Sequence, residues 1–252
     1  MDKIIGVRVD KTIYRDGMKV IKCFDKNYTK AQVLNEALNQ ARVEETNLLV
    51  PILISTSTNH EGKWLIEYEY IEGNTLESLM SKNNDSFLEY LDKFITLQMK
   101  VHNTEVLMLN KLKDKLNFKI EQTDLLATVR YELRQKLESM PKHNKLCHGD
   151  FNPSNIIVND LGEFYIIDWA HAATGNASAD VAFTYLEFMI NYGEDKAKIY
   201  LQKFCEKSET NEDYIKSWLP IVAAARLNKA KKNEVEFLMS IINARNTFKK
   251  RM

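Results

Sequence analysis

The stretch from Leu146 to Val158, LCHGDFNPSNIIV, and the run FYIIDW from Phe164 to Trp169 that follows the turn at Asn159–Gly162, constrain the chain more than any other part. Short apolar runs that read as strands flank a polar loop, His148 to Asn155, which lies at one end of a small β-hairpin. Three oxygen-bearing side chains, Asp150, Asn155 and Asp168, then converge at one end of that hairpin. Gly149 frees the loop backbone and Pro153 fixes it, a combination suited to holding side chains in place.

An acid five residues before an amide, with a second acid closing the next strand, supplies one carboxylate for an attacking hydroxyl and two hard oxygen ligands for magnesium. The chemistry this pattern suggests is metal-assisted phosphoryl transfer. The spacing parallels the protein-kinase pattern H-R-D-x-x-x-x-N followed by D-F-G, with His148-Gly149-Asp150 and Asp168-Trp169-Ala170 in those places. Glycine at the second position and the Ile-Ile-Asp-Trp run resemble the aminoglycoside phosphotransferase and choline kinase family of kinase-like enzymes. Taken singly, Asp and Asn beside Gly and Pro are ordinary turn formers; two linked motifs in order are what point to a site. A competing assignment makes His148, Asp150, Asp168 and His171 the ligands of a metallohydrolase, which leaves Asn155 and the N-terminal third without a role. A third is a catalytically silent nucleotide-binding module.

With 252 residues and 44% hydrophobic content spread throughout, the chain can bury one large core or two smaller lobes. Its formal net charge is zero, so no bulk basic field favours nucleic acid or an anionic membrane, and phosphate must be held by local donors. The N-terminal segment is too quickly polar for a signal peptide and no apolar run reaches membrane-spanning length, which gives a cytoplasmic expectation. Cys23, Cys147 and Cys205, odd in number and far apart, read as reduced thiols.

From Ile4 to Phe24 the pattern is a small antiparallel sheet, with Asp16-Gly17 as a tight turn between the strands Lys11–Arg15 and Met18–Phe24. Alternation along Met18–Phe24 sets Met18, Val20, Lys22 and Phe24 on one face, where an ammonium needs a partner, and Lys19 on the other. By resemblance, Val20-Ile21-Lys22 is the V-A-I-K strand of kinases: Lys22 grips the α- and β-phosphates and Val20 covers the adenine. The Gly-rich loop is absent, and Val9-Asp10-Lys11-Thr12 stands at the hairpin tip in its place. Thr29 with Gln32 forms a capping box that opens a helix to about Glu45, with Leu34, Ala37, Leu38 and Ala41 as its apolar stripe. Glu36, on the flank of that stripe, is by resemblance the partner of Lys22.

Leu48–Ser55 and Trp64–Ile71 are the next expected strands. The sequence EYIEG from Glu69 to Gly73 resembles the family hinge, whose backbone at Glu69 and Ile71 binds adenine. Gly73 then closes an N-terminal nucleotide-binding lobe, 1–73, and 74–252 forms a helical lobe with the catalytic loop and acceptor site. Phe87, Leu91, Phe94, Gln98 and Val101 make a helical stripe, a second periodic segment runs from Leu109 to Leu137, and His102 caps or packs. Asp180 lies in the first turn of a later helix, and the resemblance gives it the task of supporting the loop at His148.

These readings define an α+β, two-lobed, protein-kinase-like fold with ATP in the cleft. The resemblance implies an ATP- and Mg2+-dependent enzyme acting on a hydroxyl of a small molecule, aminoglycoside-, choline- or sugar-like. Asp150 is its catalytic acid–base residue, Asn155 and Asp168 are its metal ligands, and Lys22 and Glu36 organise the phosphates. No nucleic acid or membrane partner is expected.

Overall fold

The computed structural model describes residues 3–8, 10–82 and 84–244, so Val9 of the hairpin tip and Met1 of the N-terminal segment lie outside the described residues. The chain divides into two compact units, Met1–Tyr90 with Pro153–Ala172, and Leu91–Asn152 with Ala173–Met252.

The first unit is built on an antiparallel sheet in the order β1 (Lys3–Val7), β2 (Lys11–Asp16), β3 (Lys19–Phe24), β5 (Trp64–Glu69), β4 (Leu53–Thr58). Gly17, at φ 57°, turns β2 into β3 and fixes their register, Lys22 opposite Ile13 and Lys11 opposite Phe24. Directly opposed residues share a face, so Lys11, Lys22 and Phe24 project to the same side. β2 starts at Lys11, as the expected strand Lys11–Arg15 does, so Lys11 and Thr12 belong to the strand and not to the tip. Met18 is exposed in the turn and does not join the buried face of Val20, Lys22 and Phe24. The β4 ladder begins at Leu53 and not at Leu48, two residues beyond Pro51, whose ring nitrogen has no hydrogen to give a ladder. β5 ends at Glu69 and not at Ile71; just beyond it the Tyr70 N–H donates to the Met18 carbonyl at the β2–β3 turn, at 2.9 Å.

Helix α1 (Lys30–Glu44) starts as expected, with Thr29 and Gln32 in a reciprocal capping box. Its buried face is not the expected one. Leu34 and Leu38 are 40% and 47% exposed, while Val33, Glu36, Ala37, Asn39, Gln40 and Val43 are buried. Val33 and Ala37 pack with Phe24, Ile66 and Tyr68 of the sheet, each large apolar side chain contributing about 1.5–3 kcal/mol on burial. The polar residues of that face each find a specific partner, so hydrogen bonding chooses the face against raw hydrophobicity.

A three-stranded sheet completes this unit: β6 (Asn74–Thr75), β8 (Ile156–Val158) and β9 (Phe164–Ile166), in the order β6-β8-β9, with the short helix α2 (Leu76–Met80) following β6. Gly73 is obligatory here because a Cβ at that position would collide with the Val158 carbonyl. Helix α3 (Asn84–His102) carries the chain onward.

The second unit is mainly helical. It contains α4 (Leu112–Glu121), α5 (Ala127–Ser139), α6 (Ala177–Tyr192), α7 (Glu194–Ser208), α8 (Glu212–Lys216), α9 (Leu219–Leu227) and α10 (Lys232–Asn243), with β7 (Lys145–Cys147) paired antiparallel to β10 (Ala173–Gly175). The periodic segment from Leu109 to Leu137 thus divides into α4 and α5. Leu91, Phe94, Gln98 and Val101 of α3 are buried, and Phe94 meets Phe151, Phe188 and Tyr200 at ring-centroid distances of 4.8, 5.7 and 6.0 Å. Pro220 sits in the first turn of α9, where its missing N–H costs nothing. All three cysteines are free thiols, Cys23 and Cys147 buried.

Candidate active site

Lys22 is buried in β3, and its Nζ donates to Glu36 Oε1 at 2.7 Å and to Asp168 Oδ1 at 2.8 Å. The structure therefore joins three of the residues singled out from sequence, brought together from strand β3, helix α1 and the segment after β9. Burial alone would lower the Lys22 ammonium pKa, but the Asp168 and Glu36 carboxylates beside it hold it well above the ordinary lysine value. The Tyr68 hydroxyl reaches Glu36 Oε1 at 3.5 Å, and the Tyr68 ring lies 5.2 Å from the Lys22 ammonium. Val20 stands two residues earlier on the same face, half-buried against the Phe24–Tyr68 cluster.

Asp168 has left-handed backbone angles, φ 65° and ψ 58°, uncommon outside glycine and best tolerated by Asn and Asp. Burial pushes its carboxyl pKa upward, yet Lys22 and Lys11, with help from His171, hold it well below the usual carboxylate range. Lys11 is the residue that sequence reasoning missed. Its Nζ lies 3.7 Å from Asp168 Oδ1, with the side chain only 12% exposed. Counting from β3 across the hairpin register reveals it, since Lys11 opposes Phe24 on the face that carries Lys22. Asn39 is a second addition: one turn along α1 from Glu36, its Nδ2 donates to the carbonyls of Trp169 and Ala170, at 3.4 and 3.2 Å. Helix α1 thus grips both the lysine and the segment after Asp168.

Asn155 ends a single 3-10 turn, Pro153–Asn155, and its carbonyl accepts from the Ile167 N–H at 2.9 Å, next to Asp168. Of the two residues expected to form the hinge, Glu69 ends β5 and Ile71 lies two residues beyond it; the Glu69 N–H is committed to the Ile52 carbonyl at 2.8 Å. The Arg15 guanidinium stacks 3.8 Å from the Tyr70 ring between them.

In the second unit, Asp180 gathers the loop that bears Asp150. Its Oδ2 accepts from the His148 N–H at 3.1 Å and its Oδ1 from the Gly149 N–H at 2.7 Å. Gly149, at φ 78°, presents that N–H in a conformation costly to other residues. His102 Nε2 lies 3.1 Å from Asp180 Oδ2, the packing role its sequence position suggested. Burial raises the Asp180 carboxyl pKa, and the hydrogen bond and charge of His102 outweigh that, leaving it low. His148 is fully buried and its Nδ1 accepts the Asp150 N–H at 3.3 Å. Asp150 itself is partly exposed, its Oδ1 receiving Asn152 Nδ2 at 2.9 Å, and Thr184 of α6 ties the next carbonyl, Phe151, at 2.8 Å. Among the described residues no three His, Cys, Asp or Glu side chains are grouped to hold a metal ion.

For a hard cation, Asp168 and Asn155 offer oxygen donors. The Asp168 carboxylate is ionised, only its Oδ1 is engaged by lysine, and Oδ2 has no hydrogen-bond or ion-pair partner among the described residues, which fits an oxygen-preferring divalent ion.

A lysine–glutamate pair on a β-sheet and helix, joined to an aspartate that follows a hairpin, defines a protein-kinase-like phosphotransferase. The profile of the phosphotransferase enzyme family matches residues 16–216, and the chain belongs to that family of small-molecule kinases. Its fold is shared with the GDP complex of wild-type aminoglycoside 2'-phosphotransferase-IIIa (TM-score 0.62, 15% identity, 96% of this chain and 91% of that one). It is also shared with aminoglycoside-3'-phosphotransferase of type VIII (0.65, 13%, 86% and 90%). The choline kinase LicA from Streptococcus pneumoniae gives a TM-score of 0.64 at 17% identity over 96% and 93%. No curated protein matches the chain.

Proposed function

We propose that the protein transfers the γ-phosphoryl group of ATP, with magnesium, to a hydroxyl group of a small molecule, aminoglycoside-, choline- or sugar-like. The observation that carries this reading is the bridge of Lys22 between Glu36 and Asp168, an ion-paired arrangement that orients an ammonium for phosphate oxygens. Lys22 grips the α- and β-phosphates, Glu36 holds Lys22 in place, and Val20 with the backbone of Glu69 and Ile71 receives the adenine. Lys11 adds a second cation beside Asp168 where the family's glycine loop is missing. Asn155 and Asp168 would hold magnesium, which when bound neutralises charge developing on the β- and γ-phosphate oxygens. Asp150 orients the acceptor hydroxyl and takes its proton, on a loop that Asp180 fixes through the His148 and Gly149 N–H groups. In this reading residues 1–73 are the nucleotide-binding lobe and 74–252 carry the acceptor. Similarity to both an aminoglycoside phosphotransferase and a choline kinase supports a small alcohol as acceptor.

Calorimetric titration of Mg-ATP into Asp150→Asn and Asp168→Asn, alongside an acceptor-dependent ADP-release assay, tests the assignment. Asp150→Asn is expected to bind Mg-ATP normally while transfer falls by about 10²- to 10⁴-fold. Asp168→Asn loses metal-dependent binding together with turnover. Equal loss of binding in both variants would remove Asp150 from its acid–base role.

A further inference from the structure

The loop that carries Asp150 lies against α6 of the same unit: Asp180 holds the His148 and Gly149 N–H groups, and Thr184 donates to the Phe151 carbonyl. Phe183, between those two residues of α6, is 8% exposed, and the Lys119 ammonium stands 5.7 Å from the centre of its ring. Lys119 is in the last turn of α4, and its carbonyl accepts from Asn228 Nδ2, at the end of α9, at 2.6 Å. The tied ends of α4 and α9 bring three cations, Lys119, Arg226 and Lys229, within electrostatic reach of one another, and Lys119 within reach of Asp150. All of these residues belong to the second unit.

A solvated lysine in the last turn of a helix is ordinary, because the helix dipole favours it there. Lys119 is partly buried instead, and its ammonium makes no hydrogen bond or ion pair with any described residue. The nearby acids are engaged elsewhere. Glu187 and Glu234 hold Arg226 at 2.6 and 3.1 Å, and Glu121 of α4 holds Arg134 of α5 at 2.6 Å. Burial, and then the Lys229 charge, bring the Lys119 pKa down to about 8, with Asp150 pulling upward and Arg226 pressing further down. Lys115, one turn back on α4, is lowered to about 8 by burial and by Lys119 itself. An apolar side chain would cover Phe183 without this desolvation cost, so the charge at Lys119 serves a ligand and not the fold.

We propose that the acceptor is a small alcohol bearing an anionic group, carboxylate or phosphate, and that Lys119 binds that group while Asp150 faces the hydroxyl. This rests on the reading of Asp150 as the residue that takes the acceptor's proton. A polycation or a quaternary ammonium would set further positive charge against Lys119, whereas an anion supplies the partner that this lysine lacks. In the transfer, the bond from the γ-phosphorus of ATP to its β,γ-bridging oxygen breaks and a bond from that phosphorus to the acceptor oxygen forms. The hydroxyl proton passes to Asp150, and ADP leaves. Lys119 selects the acceptor by its charged end, so among small alcohols it favours hydroxy acids and sugar phosphates over aminoglycosides and choline.

Calorimetry without nucleotide reads binding to the full chain and to its Lys119→Met and Lys119→Arg variants. The probes are glycerate and gluconate, glycerol 3-phosphate and ribose 5-phosphate, neutral ribose, choline and kanamycin. At least one anionic probe is expected to bind more tightly than ribose, choline and kanamycin, and the tighter anionic pair tells carboxylate from phosphate. Lys119→Met should weaken that binding by about 10- to 100-fold, the scale of a lost charge-assisted hydrogen bond, and Lys119→Arg should keep most of it. In the wild type, affinity for the anion should fall as pH rises through about 8 and the ammonium loses its proton. In Lys119→Arg that fall should vanish, because a guanidinium stays charged. Tighter binding of choline or kanamycin than of every anion, binding of no anion, or unchanged anion affinity in folded Lys119→Met would overturn the proposal. ADP release from Mg-ATP is read separately: anion binding through Lys119 without acceptor-dependent release supports the anion site and counts against phosphotransfer.

Discussion

Lys22, Lys11 and Lys19 lie on neighbouring strands and separate three situations for a lysine. Lys19 is half-exposed on the solvent face, paired with Glu67 at 3.0 Å, and such surface pairs contribute about 0–1 kcal/mol. Lys22 is buried between two acids, and Lys11 is nearly buried beside one of them. Lys22→Ala is therefore expected to abolish productive phosphate placement, and Lys11→Gln to raise the KM for ATP more than it lowers kcat, with adenosine binding unchanged in both. Lys19→Ala should behave as wild type. Steady-state kinetics with nucleotide titrations decide it: parallel, negligible effects of all three substitutions would contradict the phosphate-gripping roles.

At the scale of the element, α1 is held by its polar face. Gln40 donates through Nε2 to the Pro51 carbonyl, and Asn39 to the carbonyls after Asp168, while Leu34 and Leu38 face outward. Replacing Leu34 and Leu38 by Lys should each change stability by less than about 0.5 kcal/mol. Gln40→Leu should cost about 1–3 kcal/mol, because it strands a buried carbonyl. Urea denaturation would reverse this account if the leucine changes proved the more costly. The same helix shows how far sequence reading reaches. Its start was legible in Thr29 and Gln32, since a cap is written in local chemistry. Its buried face was not, because the partners of Asn39 and Gln40 come from residues far along the chain or out of pattern. Lys22 could be found from strand alternation and Asp168 from its place after a hairpin. Lys11 required the register between β2 and β3, a pairing that no single strand reveals.

At the scale of the molecule, two partly buried lysines give the fold a pH signature. Burial pushes both Lys115 and Lys119 of α4 down to about 8. The Lys119 charge adds to the effect on Lys115, and Lys229 adds to that on Lys119, where Asp150 pulls back upward and Arg226 pushes further down. An unfolded lysine titrates near about 10.4, so between about 8 and 10.4 the unfolded chain binds more protons and these two groups make stability rise with pH. Buried thiols act oppositely: Cys147 is raised well above its ordinary value and Cys205 to about 11, so their contribution falls as the unfolded thiols ionise. The informative quantity is thus a difference. Lys119→Met is expected to be more stable than wild type at pH 7, with the gap closing toward pH 10. A gap in urea midpoints that stays constant across that range would show that the Lys119 charge is not desolvated by the fold. No helix among the described residues is long and apolar enough to cross a membrane.

The left-handed backbone of Asp168 carries a consequence for how this chain can diverge. The position asks two unrelated things of one residue, a short acid for its lysine partners and a side chain that tolerates positive φ. Glycine meets the second demand alone, glutamate the first alone, and asparagine keeps the shape while losing the charge. Few single-step alternatives satisfy both, so random mutation here meets a cliff, while Leu34 and Leu38 on the outer face of α1 stand on a plateau where drift is free.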